Sequence, residues 1–386
     1  MTELDVESIL EEARQRTGLI DFGDETFREP LGRLLASMDS EGSLHAVGRA
    51  TQRERVVGLL VNRLRAEAAF ARNPEIDDEV IREPLVIVGL PRTGSTMLHR
   101  TIAADPAVLS LRWWESRHPA PFESASGLGD AERIAAAEAE VAAIVDNAPE
   151  LVAAHPLDAH APDEEIMLLE HSFFSTNSEA YVDIPSFSRW LDARDQLPGY
   201  QYLLRLLRLA QWQKRQRGEG GEHWVLKTPH HLGYMDLLFK VFPDARVVQT
   251  HRDPVETIPS FASLVYTIRK TGSDHVDPIA VGRLWCARMQ RATTACIEYR
   301  RENEDRFFDL NYEALVEDPM KAVEDIYSFM DRPLSDQARA AMAEWAVENA
   351  RDRRPVHHYT LEQFGFTQKG ITADFDAYRR RFLVKD

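Results

Sequence analysis

Arg92, Thr93, Gly94, Ser95 and Thr96 stand together in LVIVGLPRTGSTMLHR, directly after a short apolar run. A glycine that lets the backbone approach a ligand, hydroxyl donors after it and a guanidinium before it suit an anion. If the apolar run is a strand and the stretch after Gly94 a helix, the turn also offers unpaired backbone N–H groups and the positive end of a helix dipole. The plainer alternative is a capped strand-to-helix turn with Ser95 or Thr96 as the N-cap. A loop for the γ-phosphate of ATP would read G-x-x-x-x-G-K-S/T, and no lysine follows Gly94. A second pair follows ARVVQTH: Arg252 can grip a phosphate through two N–H groups, and Ser260, eight residues on, can donate from the following helix.

These residues need elements to hold them. From Pro84 onward the short apolar runs LVIVGL, HWVLKT, ARVVQTH and RFFDLNY alternate with helical stretches such as YQYLLRLLRLAQWQKRQR. That alternation predicts an α/β fold, a parallel sheet covered by helices on both faces. Ligands of such sheets bind beyond the carboxyl ends of the strands, where PRTGST, TPHH and RDPVETIPS would converge. Residues 1–83 read as a helical segment in which Val56, Leu60, Leu64 and Ala68 recur four apart. It reads as packing material and is assigned no chemistry. AERIAAAEAEVAAIVDNAPE reads as an exposed helix and QRGEGGEH as a flexible connection, neither with a site.

Lys and Arg number 46 against 63 Asp and Glu, a net charge of −17. This argues against a surface built for nucleic acid or anionic lipid, so any anion site must be a local basic pocket. The two cysteines, Cys286 and Cys296, read as buried free thiols rather than a disulfide or metal ligands. The acidic, amphipathic start MTELDVESILEEARQRTG is no signal peptide, and no run is long enough to span a bilayer. The expected compartment is the cytoplasm. No metal cluster is expected either, because the adjacent His230 and His231 point apart on a helix or strand.

The loop PRTGST resembles the 5′-phosphosulfate loop of the sulfotransferases that use 3′-phosphoadenosine 5′-phosphosulfate (PAPS), above all in tyrosylprotein and many bacterial members. Arg252 and Ser260 resemble the family's 3′-phosphate motif, an Arg ending a strand with a Ser eight residues on. YEALVEDP, with Tyr312, Leu315 and Pro319, resembles its late strand-to-helix anchor, and HHYTLEQFGFTQKGI is similar to a tail common in bacterial members. The resemblance spans roughly residues 84–370. It implies a three-layer, P-loop-like sheet: an N-terminal helical segment (1–83), a nucleotide-binding core (84–330) and a C-terminal helical cap (331–386). It implies PAPS as co-substrate, no required metal, and leaves room for a homodimer. Of the cytosolic branch's C-terminal nucleotide element only Lys369-Gly370 survives, which leaves open any nucleotide role for Lys369, Arg351, Arg353, Arg354 or His357.

Sulfuryl transfer to an alcohol needs a base, cations over the sulfuryl oxygens and a donor at the leaving oxygen. By resemblance, Arg92, Thr93, Gly94, Ser95 and Thr96 hold the 5′-phosphosulfate, and Lys227 in HWVLKTPHHL touches the transferring group. Three candidates stand for the base. Glu115, flanked by Trp113 and Trp114, lies near where tyrosylprotein sulfotransferases keep a catalytic Glu, and desolvation there would raise its pKa; the plainer alternative is a surface pair with Arg112 or Arg117. His230 is the second candidate, because Pro229 occupies the place of the K-T-H histidine. Asp163, Glu164 and Glu165 read first as helix-start acids, with Glu164 and Glu165 kept as the third.

Aromatic residues outside the nucleotide motifs, among them Trp113, Trp114, Phe173, Phe174, Tyr181, Phe187, Trp190, Phe364 and Phe366, read mostly as core. If a few line the cleft, the acceptor is an apolar alcohol, phenol or lipid-like molecule rather than a polysaccharide. Two rivals stand beside this function. One is a P-loop kinase or NTPase; the other is a catalytically inactive scaffold that still binds adenosine 3′,5′-bisphosphate (PAP).

Overall fold

In a computed structural model the protein is described over residues 4–122, 129–147, 151, 157–349 and 359–384. The apolar runs form strands: β1 (Leu85–Gly89), β3 (His223–Lys227), β4 (Arg246–His251) and β5 (Phe307–Asn311), with the two-residue β2 (Val108–Leu109) at one edge. Their order is β2-β3-β1-β4-β5 and every pair is parallel. The continuous apolarity of the runs has its reason in the two covers. Val86, Val88, Trp224, Leu226 and Val247 face one buried cluster with Leu203 and Leu206 of the helix Leu197–Gln216. Leu85, Ile87, Val225, Val248 and Leu310 face another with Leu98, Ile102, Val323 and Ile326.

The N-terminal helices are α1 (Val6–Thr17), α2 (Arg28–Glu41) and α3 (Ala46–Arg72). Val56, Leu60 and Leu64 of α3 are fully buried against Ile9 and Leu10 of α1 and Leu31 of α2. The four-residue spacing overshoots a 3.6-residue turn, so by Ala68 the stripe has drifted to a half-buried flank, and Ala66, Ala69 and Phe70 join the sheet's own cluster. The same N-terminal cluster takes in Phe173, Phe174, Phe187 and Leu191, so these aromatics are core, as expected.

After β1 comes α4 (Ser95–Ile102), and after β2 the short α5 (Trp113–Arg117) and α6 (Asp130–Asn147). The Ala/Glu-rich α6 is exposed over most of its surface, as its composition suggested, but it also has a packed side. Its Ile134, Ala137, Val141 and Ile144 pack on Trp113 and Trp114, a spacing of three and four that makes one apolar face. At the carboxyl end of the chain, Phe375 and Tyr378 join the sheet's cluster, and Tyr378 Oη lies 3.0 Å from Nδ1 of His251 on β4. Cys286 and Cys296 are both buried and unpaired.

Candidate active site

The turn from β1 into α4 holds three residues in the left-handed half of conformational space: Gly89 (φ 150°), Arg92 (φ 72°) and Gly94 (φ 84°). Arg92 is strained there, a conformation that a structure retains at functional loops. Gly94 is the N-cap of α4, and no side chain caps that helix, so neither Ser95 nor Thr96 plays the capping part. Glycine is also required sterically. A Cβ at Gly94 would come within 3.0 Å of Leu315 and 3.1 Å of Tyr312.

Pro91, Arg92, Gly94, Ser95 and Thr96 line a large cleft at the carboxyl edge of the sheet. Thr93 does not. Its hydroxyl is fully buried, donating to Leu90 O at 2.8 Å and lying 2.6 Å from Thr250 Oγ1 on β4. The Thr93 side chain thus fastens the loop to the sheet, and only its backbone is left for a ligand.

The PRTGST turn and the Arg252–Ser260 motif meet. Arg92 Nε donates to Ser260 Oγ at 3.3 Å, and Arg252 Nη1 donates to the carbonyl oxygen of Arg92, also at 3.3 Å. The Arg252 guanidinium lies 4.1 Å from the centroid of the Tyr312 ring and pairs with Glu256, while its Nε is buried with no acceptor among the described residues. Asp253 does not pair with Arg252; it caps the helix Pro254–Lys270 through Val255 N and pairs with Arg379. Tyr312, expected as a mere anchor, is part of the cleft wall.

Lys227, at the end of β3, reaches the loop from the other side. Its Nζ donates to Thr96 Oγ1 at 3.0 Å and to Glu164, and its backbone N–H donates to Glu165 Oε2 at 2.7 Å. The acidic trio is thus three separate devices and not a helix cap; no side chain caps the helix Ile166–Leu169 that follows. Asp163 is buried beside Ser116, its carboxyl pushed up to about 6 by burial and by Glu164. Glu164 lines the cleft. Glu165, fully buried, lies 2.9 Å from His231 Nε2, and His231 Nδ1 lies 2.7 Å from Tyr200 Oη, so the residue after Lys227's partner ties β3 into the core.

His230 also lines the cleft. Its Nδ1 lies 2.9 Å from Thr176 Oγ1, its ring stacks on Tyr234 with centroids 4.7 Å apart, and Nε2 has no hydrogen-bond partner among the described residues. Burial above all, then the nearby His231 and Arg288, holds its pKa well below the ordinary histidine value. Thr176, which orients this ring, carried no signal in the sequence.

Glu115 is a correction. It lies outside the cleft, buried within α5 and held by Lys214 at 2.8 Å, Arg112 at 2.7 Å and Arg217 at 2.6 Å. Burial would raise its pKa, as the flanking tryptophans suggested, but the three cations, Lys214 foremost, overturn that and bring it down to about 2. Burial also lowers Lys214 from the ordinary lysine value, so the cluster depends on Glu115 staying ionised. Such a carboxylate is a strut and a poor base. Glu115→Gln should therefore destabilise the fold by about 3 kcal/mol, by leaving buried cations unmatched, and leave turnover per folded molecule within several-fold. Because the folded pKa is depressed, this stabilisation is complete above the ordinary glutamate range and disappears as pH falls from about 4.5 toward 2. Urea melts of both forms across that window should converge at the acid end.

The cleft holds about 2260 Å³. Trp113 and Tyr181 are the aromatics from the earlier set that line it; Trp114, Phe173, Phe174, Phe187, Trp190, Phe364 and Phe366 are core or its flank. Lys369, on the helix Gln368–Asp374, is exposed and away from the cleft lining. Arg351, Arg353, Arg354 and His357 lie outside the described residues. No group of three potential metal ligands occurs among the described residues, nor any helix long and apolar enough to cross a membrane.

This geometry has counterparts. A family model described as "Sulfotransferase family" matches residues 84–336. The sulfotransferase STF1 from Mycobacterium tuberculosis H37Rv is 30% identical, with 97% of this chain and 98% of that one covered at a TM-score of 0.84. STF9 from Mycobacterium avium is 27% identical, with 100% and 98% covered at 0.88. No curated protein sequence matches. With an α/β core of the same shape, and with the PRTGST turn and Arg252 inside the matched span, the chain belongs to the sulfotransferase family.

Proposed function

We propose that the protein moves a sulfuryl group from PAPS to a hydroxyl of an apolar small-molecule or lipid-like acceptor, by in-line displacement, in the cytoplasm. The observation that carries this is the junction of Arg92, Ser260 and Arg252 beside an uncapped helix N-terminus. A nucleotide with phosphate at both its 5′ and 3′ positions needs two neighbouring cationic holds, which an ATP site does not. Chemical fit supports the same donor. The loop has no lysine of its own, and the ammonium beside Thr96 comes from Lys227 on another strand, placed for the outermost group on the 5′-phosphate.

In this mechanism the backbone amides of residues 92–96 with the Ser95 and Thr96 hydroxyls hold the 5′-phosphate, while Arg252 and Ser260 hold the 3′-phosphate. Lys227 neutralises the sulfuryl oxygens. The acceptor oxygen bonds to sulfur as the bond from sulfur to the bridging phosphate oxygen breaks, PAP departs, and the hydroxyl proton goes to Nε2 of His230. His230 takes the role first expected of Glu115, because it lines the cleft and its Nε2 has no hydrogen-bond partner among the described residues, whereas Glu115 lies outside the cleft and is held by three cations.

Calorimetric titration with PAP, beside ATP with Mg²⁺, tests the donor. PAP should bind and ATP bind poorly; preference for ATP with Mg²⁺ would return the loop to phosphoryl chemistry. Arg252→Ala should weaken PAP by about 2 kcal/mol or more, roughly thirty-fold. Unchanged affinity would remove the 3′-phosphate site.

A further inference from the structure

We propose that the cleft-facing side of α3 is the specificity wall for a long, neutral, apolar acceptor, and that Gly58 sets the width of the passage. This deepens the sulfuryl-transfer function and rests on it. It concerns a helix that precedes the family-matched residues 84–336.

Val47, Thr51, Glu54, Gly58, Asn62 and Arg65 all line the cleft and recur at three- and four-residue steps, so they form one face of α3. Val56, Val57, Leu60 and Leu64 form the opposite, core-buried face. From Val47 to Arg65 that wall runs about 27 Å at the rise of an α-helix. Facing it across the same cleft are Ile144 of α6, Tyr181, and Leu264 and Ile268 of the helix Pro254–Lys270. Charges along the wall have partners: Arg55 pairs with Glu170 and lies 4.4 Å from the Tyr181 ring centroid, Glu54 pairs with Arg16 at 2.6 Å, Arg65 lies 4.1 Å from the Phe122 ring centroid, and beside them Arg117 of α5 pairs with Glu140. Asn62 Nδ2 donates to Arg117 O at 2.7 Å. A charged occupant would find no unmatched counter-ion among these groups, whereas an apolar chain would be covered along its length.

Glycine weakens a helix interior relative to alanine, so each helical glycine calls for a reason. Gly48 has one: a Cβ there would lie 2.1 Å from the carbonyl oxygen of Gly272. At Gly58 a Cβ would meet nothing within 4 Å. No packing demands the glycine, and any side chain placed there would project into the cleft. The empty position widens the passage.

The test uses 1-decanol as the apolar probe and PAP as the nucleotide, titrated separately into the full chain. Gly58→Leu and Gly58→Trp should weaken 1-decanol at least about ten-fold while PAP affinity stays within about two-fold. Gly58→Ala should melt no lower than the wild type and bind both. Equal 1-decanol affinity in wild type and Gly58→Leu would overturn the inference, as would a wild type that binds PAP but no 1-decanol. Failure of the wild type to bind PAP would instead sink the nucleotide function, with the 1-decanol titrations still deciding the passage. Should the tryptophan variant not fold, the leucine variant decides.

Discussion

His230→Ala is expected to lower kcat by about 10²–10⁴-fold, the range that a positioned general base supplies, and to leave PAP affinity unchanged. The ring lines the cleft, is oriented through Nδ1 by Thr176, and its buried Nε2 has no hydrogen-bond partner among the described residues. Because burial holds its pKa well below the ordinary value, the neutral, proton-accepting form is already present at neutral pH. In the free enzyme kcat/KM should therefore stay level through pH 6.5 and fall only well below it, as the ring finally protonates. Single-turnover rates with a phenolic acceptor would show this. A histidine variant as fast as the wild type, with Glu164→Gln slow, would move the proton to Glu164, the other carboxylate at Lys227.

Lys227→Met is expected to lower kcat by about 10²–10³-fold, the loss seen when a pre-placed charge donor is removed from a transition state, with a much smaller change in PAP affinity. The ammonium is nearly buried, and Thr96 and Glu164 fix it at the mouth of the loop. In the proposed mechanism it therefore serves the developing charge rather than the resting bisphosphate. Since Glu164 shares that ammonium, Glu164→Gln and the double variant should show strong non-additivity. Additive effects, or a PAP affinity that falls as far as kcat, would make Lys227 a ground-state nucleotide contact.

The sheet was legible because strands buried on both faces write themselves as unbroken apolar runs; β2 was not, since two residues carry no period. The turn from β1 into α4 was legible because its glycine and hydroxyls sit side by side in sequence between an apolar run and a helical one. What stayed hidden depended on residues far apart in the chain. Nothing local to WWES reveals that Lys214 and Arg217 close around Glu115, so burial between tryptophans suggested a raised pKa where the fold produces a lowered one. Likewise α3 has two useful faces, and only its apolar stripe speaks in the sequence; the polar face became a cleft wall through what packs opposite it. Thr93 looked like a third ligand donor until Thr250 claimed it from β4.

The central place of β1 also governs the order in which the molecule can assemble. Leu85 pairs with Val225 on one side and Arg246 on the other, so both partners of β1 leave the ribosome long after β1 itself. Until then β1 is an apolar strand with two open edges, the kind of segment that seeks foreign partners. The loop is in the same position, since it is Thr250 of β4 that fastens its Thr93 to the sheet. Nascent chains halted before residue 246 should thus depend on a chaperone for solubility, and nucleotide binding should arise only once β4 has docked, in a slow step set by the long loops that closure of the sheet requires.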